Sequence, residues 1–336
     1  MEQKRGAEKG QEGSVENNDL ALMDSGFMAE IPFMSITSKS PRAILVTAFE
    51  IAADALPAYS HVNSPKKFTQ HQIFACLVLK SSMKLDYRGV HGLLRDSADL
   101  RSAIGLFKTP HWTTLQKACD RLLNSPCAAA LLDATVAPKQ GARSRSRRPR
   151  RKVKTAAVDS SGFDTHHSSH YFVARKSKES DTIQQITYRR FPKLGIVCDC
   201  GDHMILADST GNGPRPDVDE FRSLVKKATR RARIDDIVAD AGYDSEANHE
   251  FAREIVGIES HMPAKHGRPG RCPPRGRYRR QMRESFDESK YAERCQVETV
   301  MSMIKRRQGA ATSGRSYQAR CRDLRLMSLT HNIMIL

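Results

Sequence analysis

No stretch of this sequence is both long enough and apolar enough to predict a membrane span. The best candidate, residues 43–58, is interrupted by Glu50 and Asp54. The first 19 residues contain no apolar segment of the kind that directs secretion. These absences predict a protein that is neither secreted nor membrane-spanning. The eight scattered cysteines are then expected to be reduced thiols in the cytoplasm.

Acidic residues are missing from two strongly basic segments. Residues 139–154 contain nine Lys and Arg, and residues 264–283 contain eight, with no Asp or Glu in either. These seventeen side chains account for the whole net charge of +17 over 336 residues, so the rest of the chain is formally neutral. A balanced protein with two undiluted cationic segments is typical of one that binds a polyanion, and without a membrane signal nucleic acid is the expected partner.

The first half of the chain is expected to be an arm followed by helices. Residues 1–40 lack periodicity and are rich in Glu, Lys, Gly, Asn and Ser, which predicts a disordered arm. Residues 41–138 carry apolar side chains at helical spacing and predict a small all-α region. This region is either a supporting bundle or a DNA-reading unit, and spacing alone does not decide between them. Residues 139–152 follow as a basic linker.

From residue 153 onward the pattern changes to strands and then alternates with helices. We expect strands over residues 153–159, 170–174, 193–198, 203–207, 236–240 and 259–263, and helices over residues 218–231, 245–256, 287–308 and 319–336. This order predicts an α/β domain over residues 153–336. The second basic segment, residues 264–283, is expected to be a loop within that domain.

Two aspartates carry the first chemical signal. Asp159 and Asp240 each end an apolar strand and are followed by small residues, and ligands of open α/β sheets bind outside such strand ends. Two carboxylates in neighbouring strands raise each other's pKa unless a cation neutralises them, and Mg²⁺ prefers carboxylate oxygens. Either residue alone is also a common turn former. Asp208, Asp235 and Asp236 are rivals for the second position.

The helix expected over residues 287–308 carries the second signal. Tyr291, Arg294, Glu298 and Lys305 follow one another at intervals of three, four and seven residues, which places them on one stripe of a helix. Glu298 then lies between a buried stripe and a cationic surface. An ordinary amphipathic helix with an exposed Arg294–Glu298 pair is the alternative interpretation. That alternative explains neither the tyrosine on the charged stripe nor the all-basic segment before the helix.

These residues resemble a known family. The spacing of Tyr291, Arg294, Glu298 and Lys305 resembles the Tyr-Arg-Glu-Lys signature of bacterial insertion-sequence transposases of the DDE superfamily, in particular insertion-sequence families four and five. Residues 158–162 (VDSSG) resemble the family's first motif, and residues 240–243 (DAGY) resemble its second. Residues 211–217 (GNGPRPD) resemble the loop that the family carries before a basic helix. The resemblance covers residues 66–336.

The resemblance implies a fold and a metal centre. The fold is an RNase-H-like catalytic domain, a mixed five-stranded sheet flanked by helices, preceded by an α-helical N-terminal region. Asp159, Asp240 and Glu298 are the implied catalytic and metal-binding triad, with Mg²⁺ as cofactor and Mn²⁺ as its substitute. Three carboxylates can hold two ions that clamp the attacking and leaving oxygens of a phosphodiester displacement. Only 57 residues separate Asp240 from Glu298, too few for the large β-insertion of some relatives.

The implied partner is double-stranded DNA, both the transposon ends and the target. Synapsis of two ends implies a homodimer, and the implied location is the bacterial cytoplasm, associated with the nucleoid. Tyr291, Arg294 and Lys305 would hold the phosphates of the transposon end. From the basic segments we expect further DNA contacts by Arg147, Arg148, Arg150, Arg151, Arg277, Arg279 and Arg280.

Other interpretations of the sequence remain open. An RNase-H-like nuclease without strand transfer would carry the same triad, and a catalytically inactive descendant would keep only DNA binding. A basic RNA-associated protein predicts neither the spaced signature nor the strand-end acids. Cys198, Cys200 and His203 offer zinc ligands, but no second Cys/His pair stands at zinc-ligand spacing, so a strand followed by a turn is the better interpretation.

Overall fold

The computed structural model describes residues 37–137, 150–165, 167, 170–176, 183–264 and 274–336. The arm expected over residues 1–40 therefore lies outside the described residues except for its last four. The basic linker lies outside them up to residue 149, and Arg147 and Arg148 with it. From residue 37 onward the described residues belong to one compact unit. No helix within this part of the chain combines the length and apolar character that a membrane span requires.

Residues 41–136 are entirely helical apart from turns, as the sequence predicts. The helices are α1 (Pro41–Ala55), α2 (Gln70–Ser82), α3 (Tyr87–Asp96), α4 (Ala98–Ala103), α5 (Trp112–Leu122) and α6 (Ser125–Val136). The N-terminus of α2 is capped on both sides, because the Thr69 hydroxyl accepts from the amide of Gln72 while the Gln72 side chain accepts from the amide of Thr69. These helices bury one apolar core, which extends to the C-terminal helix of the chain.

The rest of the chain builds a sheet with helices around it. The strands are β1 (Arg151–Gly162), β2 (Asp164–Thr165), β3 (His170–Lys176), β4 (Ile183–Arg189), β5 (Phe191–Asp199), β6 (Ile205–Gly213), β7 (Ala232–Ala239), β8 (Glu259–His261) and β9 (Ala311–Thr312). The helices are α7 (Phe221–Arg231), α8 (Glu246–Glu250), α9 (Arg277–Glu284), α10 (Glu288–Ala292), α11 (Cys295–Gln308) and α12 (Tyr317–Ile335). Short 3₁₀ turns at Asp217–Asp219 and Ala241–Tyr243 and a π-helical turn at Phe251–Val256 complete the elements.

The central sheet is mixed and has five strands in the order β6-β5-β1-β7-β8. β5 runs antiparallel to both β1 and β6, whereas β1, β7 and β8 are parallel to one another. Helix α7 packs on one face through an apolar cluster, and α11 packs on the other through a second cluster. This arrangement confirms the predicted mixed five-stranded sheet flanked by helices and preceded by a helical region.

Several strand boundaries differ from the prediction, and two of the differences bear on the motifs. β1 begins at Arg151, so the last residues predicted for the linker already pair with β7. β6 continues to Gly213, well past the predicted end at residue 207, because its polar second half pairs with β5. The GNGPRPD segment is therefore a strand end followed by a turn rather than a loop throughout. Hairpin β3–β4 contains a strand, β4, that the sequence pattern did not reveal.

The second basic segment is not a loop throughout. Its residues 265–273 lie outside the described structure, but residues 277–284 form α9, so the prediction of a loop over 264–283 is wrong there. The helix starts where the Glu246 carboxylate accepts hydrogen bonds from the amides of Tyr278 (2.9 Å) and Arg279 (3.1 Å). A carboxylate at a helix N-terminus satisfies amides that have no partner within the helix.

The helix predicted over residues 287–308 is interrupted. α10 ends at Ala292 and α11 begins at Cys295, because the chain tightens to three-residue hydrogen bonds in between. The amide of Arg294 donates to the carbonyl of Tyr291 at 2.9 Å, and the amide of Val297 donates to the carbonyl of Arg294 at 3.2 Å. Residues three apart eclipse in such a turn. Tyr291 and Arg294 thus share one side, although Tyr291 belongs to the shorter helix.

Helix α12 joins the helical region to the sheet. Leu326, Leu329 and Ile333 pack in the core of the N-terminal helices, whereas Leu324 and Met327 pack against the sheet and α11. The buried Asn332 amide donates to the carbonyl of Ile205 at 2.9 Å and accepts from its amide at 2.8 Å. Because β6 is the last strand of the sheet, this side chain takes the place of a neighbouring strand.

Replacing Asn332 with Ala is expected to lower the free energy of unfolding by about 2–3 kcal/mol. The change leaves two buried main-chain groups of Ile205 without their partner, and each such loss costs roughly 1–3 kcal/mol. Urea unfolding of the variant measures the effect. Gln318→Ala, on the exposed side of the same helix, is the matched control. Equal stability of both variants would contradict this role of Asn332.

Candidate active site

The register of β1 and β7 brings the two predicted aspartates together. Val158 pairs with Ala239 in the last parallel pair of these strands, so Asp159 and Asp240 follow at the same level of the sheet. Asp240 directly follows the last residue of β7, as predicted. Asp159 does not end its strand, because β1 continues along β5 to Gly162. The Asp240 carboxylate also accepts from the amide of Gly242 at 2.7 Å, so it forms the turn as well.

The environment of Asp159 disfavours its charged form. Burial raises the pKa of Asp159 to about 6; the Ser160 amide and the Arg294 guanidinium lower it, and the Asp217 and Asp240 carboxylates raise it. Burial is the largest of these effects, so the charged form of Asp159 is disfavoured unless a nearby cation stabilises it. A divalent cation can do this by binding the carboxylate oxygens.

A third aspartate, Asp217, joins the same centre. Its carboxylate accepts from the Ser160 hydroxyl at 2.5 Å and forms an ion pair with the buried Lys193. The ammonium group of Lys193 also lies 3.8 Å from the Glu220 carboxylate and donates to the Arg215 carbonyl at 2.9 Å. The sequence analysis placed Asp217 only at the end of the GNGPRPD motif. The resemblance of that motif was the available signal, but its spacing said nothing of a position beside Asp159.

A buried hydroxyl group faces this centre without a partner. Tyr243 is 1% exposed, and its hydroxyl approaches Ser160 but forms no hydrogen bond of ordinary geometry among the described residues. Burial and the charges of Asp217, Asp159 and Glu220 raise the pKa of Tyr243. An orphaned donor beside several carboxylates fits a site that a hydrated cation completes, because metal-bound water supplies hydrogen-bond partners.

The predicted signature residues reach the same end of β1 from α11. The guanidinium of Arg294 lies 2.6 Å from the Glu298 carboxylate and also acts on the charge of Asp159. Lys305 donates to the Ser161 hydroxyl at 2.7 Å and lies 5.2 Å from the ring centre of Phe163. Arg294 therefore connects the second signal of the sequence to the first. The half-exposed Glu298 carboxylate is connected to the aspartates through Arg294.

Packing fixes the position of this helix. The side chains of α11 that face the sheet are fully or almost fully buried, and they are Val297, Val300, Met301 and Ile304. Tyr291 lies before the helix, with its ring 5.1 Å from that of Phe286 and 5.6 Å from the Arg294 guanidinium. The ring thus packs beside Arg294 and remains partly exposed.

The rival acids are placed elsewhere. Asp235 is exposed on β7, and Asp208 lies on β6, two strands from β1. Asp236, Glu259 and His261 bring their ligand atoms within 4.8 Å of one another, as a metal site requires. In this group, however, the ammonium of Lys290 lies 2.7 Å from Asp236 and already supplies positive charge. The centre at Asp159 differs in that it contains the strand-end aspartates and the Arg294 contact to the signature helix.

The predicted DNA contacts from the basic segments divide into two kinds. Arg151 is bound to Asp199 and Asp202, and Arg279 is bound to Asp244 at 2.7 Å, so both guanidinium groups are engaged within the fold. Arg150, Arg277 and Arg280 are exposed. Arg147 and Arg148 lie outside the described residues.

The fold and the site together define the class of protein. The sheet is mixed, and carboxylates lie where the pairing of two parallel strands ends, beside cations from α11 and the turn before it. This is the arrangement of an RNase-H-like domain with an acidic centre. Residues 151–333 match the family model of the transposase DDE domain, and the chain belongs to this family. It is a DDE-class insertion-sequence transposase, an enzyme of the nuclease type whose substrate is DNA. None of the curated proteins compared matches the chain.

Asp159→Asn is expected to raise the melting temperature at pH 7.5 in the presence of a chelator. The folded pKa of Asp159 is about 6, above the ordinary 3.8, so ionisation costs folded-state stability as pH rises through this window. The gain should therefore shrink between pH 6 and pH 4, where the wild-type carboxyl is protonated. Thermal unfolding at several pH values measures it, with Asp219→Asn as an exposed control. A gain that is the same at pH 7.5 and pH 4 would contradict the burial of this charge.

Proposed function

We propose that the protein binds the terminal inverted repeats of an insertion sequence and catalyses divalent-metal-dependent strand cleavage and transfer. The observation that supports this most strongly is the contact chain at the end of β1. Asp159 lies beside Asp217 and Asp240, and Arg294 connects it to Glu298. Three aspartates from separate parts of the chain thus come together just beyond the last parallel pair of β1 and β7, and Arg294 links them to Glu298.

The residues of this centre fit Mg²⁺, with Mn²⁺ as its substitute. Asp159, Asp240 and Glu298 would hold the metal, since hard cations take carboxylate oxygens. When bound, the metal lowers the pKa of an attacking water or hydroxyl and stabilises the departing oxygen. The unpartnered hydroxyl of Tyr243 and the raised pKa of Asp159 both support a cation in this place.

The cations around the centre would position the DNA. Arg294 and Lys305 present their charges beside β1, where they can bind phosphates on either side of the phosphodiester that reacts. The ring of Tyr291 packs against the Arg294 guanidinium, and Tyr291 would contact the same DNA backbone. Exposed Arg150, Arg277 and Arg280 extend the cationic surface, and their contribution should weaken with salt. Catalysis would then consist of positioning and charge stabilisation.

Glu298→Gln is expected to abolish metal-dependent cleavage of transposon-end DNA while leaving DNA affinity within about twofold. The substitution removes a metal-binding charge but keeps the size of the side chain. Gel assays of cleavage and anisotropy assays of binding measure the two effects. Glu293→Gln, an exposed glutamate just before α11, is the matched control. Cleavage retained by Glu298→Gln would reject the assignment of this residue.

Asp217→Asn is expected to weaken Mn²⁺ binding by about tenfold, because a carboxylate next to metal ligands typically contributes 10–100-fold to metal affinity. Mn²⁺-dependent thermal shifts measure this without reference to activity. Asp219→Asn, two residues along the same turn, is the control. An unchanged midpoint for Mn²⁺ in the Asp217 variant would show that this carboxylate only anchors Lys193.

The alternatives make different predictions. A nuclease without strand transfer would cut the ends but would not join a pre-cleaved end to target DNA. An inactive descendant would bind DNA and cut nothing in Mg²⁺ or Mn²⁺. Joining of pre-cleaved ends, with the complex sized by light scattering, tests both the proposed transfer step and the proposed homodimer. The particular insertion-sequence family remains a prediction.

A further inference from the structure

A cavity of about 620 Å³ lies outside the acidic centre, between α6, α7 and the edge strand β6. Six basic side chains line it, and they are Arg150, Arg151, Lys227, Arg230, Arg231 and Arg325. The acidic side chains in its lining are Asp133 and Asp208. None of the residues assigned above to metal binding or catalysis belongs to this lining. The cavity is therefore a second concentration of charge, of the opposite sign.

Basic side chains of the lining already act on both of its acidic side chains. Asp133 binds Arg231 at 2.5 Å. Burial raises the pKa of Asp208 above its usual range, while the charges of Lys227, Arg231 and Arg325 act in the other direction. The remaining basic groups of the lining therefore exceed what its carboxylates can neutralise. An anion is the ligand that such a cavity accepts.

The basic side chains of the lining differ in the groups that they bind within the fold. Lys227 donates to the carbonyl of Asp208 at 2.9 Å, and Arg231 donates to the carbonyl of Leu206 at 3.0 Å, so both cover the open edge of β6. Arg151 is committed to Asp199 and Asp202. Arg150 binds the Thr229 carbonyl at 2.9 Å, and neither it nor the exposed Arg230 forms an ion pair among the described residues. Arg325 donates to the Leu123 carbonyl at 3.1 Å. Arg150 and Arg230 are the exposed members of this basic lining and are thus the charges most accessible to a ligand.

The exposed cations of the cavity lie at the amino end of β1, away from the acidic centre. Arg151 pairs with Ala232, which directly follows α7 and Arg230, whereas Asp159 lies eight residues further along β1. A strand rises about 3.3 Å per residue, so this end of the cavity is about 26 Å from Asp159 along β1. With about 3.4 Å of rise per nucleotide along one DNA strand, this corresponds to roughly eight nucleotides.

We propose that the cavity binds a backbone phosphate of the DNA, held by Arg150 and Arg230, roughly eight nucleotides from the phosphate at the acidic centre. The inference rests on the proposed function only in taking DNA as the ligand. It adds a site whose purpose is to fix the register of the DNA strand relative to the reacting phosphate. A free phosphate or nucleotide shares the chemistry but would occupy the cavity instead of the DNA.

The first test compares the double variant Arg150→Gln/Arg230→Gln with the wild type and with Lys226→Gln/Arg233→Gln, in which two exposed cations of α7 and β7 outside the lining are replaced. Fluorescence anisotropy with a duplex oligonucleotide at several salt concentrations gives the slope of log K against log salt. Each lost phosphate contact lowers this slope by about 0.9. We expect a decrease of about 1 for the cavity variant and a smaller one for the control. Equal decreases in the two variants would overturn the proposal.

The second test uses small anions at constant ionic strength. Inorganic phosphate or ATP that stabilises the wild type but not the cavity variant, and that displaces no DNA, would overturn the proposal in favour of a small ligand. Displacement of the duplex by these anions from the wild type, and not from the cavity variant, supports it. Thermal unfolding of both double variants without ligand checks that their folds are equally stable.

The two proposals fail in different ways. If the wild-type protein binds no duplex DNA, the proposed function fails together with this inference. If it binds DNA and the cavity variant keeps the full salt slope, only the assignment of the cavity fails. If the cavity variant loses slope while Glu298→Gln still cleaves DNA, the cavity assignment stands and the catalytic assignment fails.

Discussion

The parallel pairing of β1 with β7 is the constraint on which the acidic centre depends. Ala156, Ala157 and Val158 are fully buried opposite the equally buried end of β7, so apolar burial on both faces of the sheet fixes their register. A shift of one residue would turn every side chain of a strand to the other face. The same packing that stabilises the sheet therefore determines that Asp159 and Asp240 leave it at one place. No direct interaction between the two carboxylates is needed to bring them together, and their mutual repulsion opposes it.

Cations from other elements partly offset this repulsion. Lys193 on β5 secures Asp217, and Arg294 before α11 acts on both Asp159 and Glu298. Each cation lies beside the acids, and burial nevertheless keeps the pKa of Asp159 raised. A site of this kind costs folded-state stability that the surrounding core must supply, which is a common property of functional sites. The divalent cation proposed for this site would offset that cost.

The sequence revealed the local parts of this site and missed the parts that depend on distant contacts. Asp159 and Asp240 follow apolar runs, which any strand pattern shows. Asp217 was missed as a member because hairpin β5–β6 and the Lys193 ion pair bring it to β1, and neither leaves a periodic signal. Helix α9 was taken for a loop because its first turn is completed by Glu246, a residue some thirty positions earlier. The helix is interrupted before α11 by hydrogen bonds between residues three apart. The residues there have ordinary helix propensity, so the sequence did not predict the interruption.

The net charge of the chain overstates the charge that a DNA strand can meet. Arg151 and Arg279 belong to the two basic segments, yet both neutralise carboxylates inside the fold. Arg150, Arg277 and Arg280 come from the same segments and stay exposed. Composition therefore identifies the class of partner, because an undiluted basic run has no local acid to pair with. Tertiary contacts decide which of its members remain available. The fold, and not the basic segments themselves, therefore determines where the exposed arginines lie relative to the carboxylates.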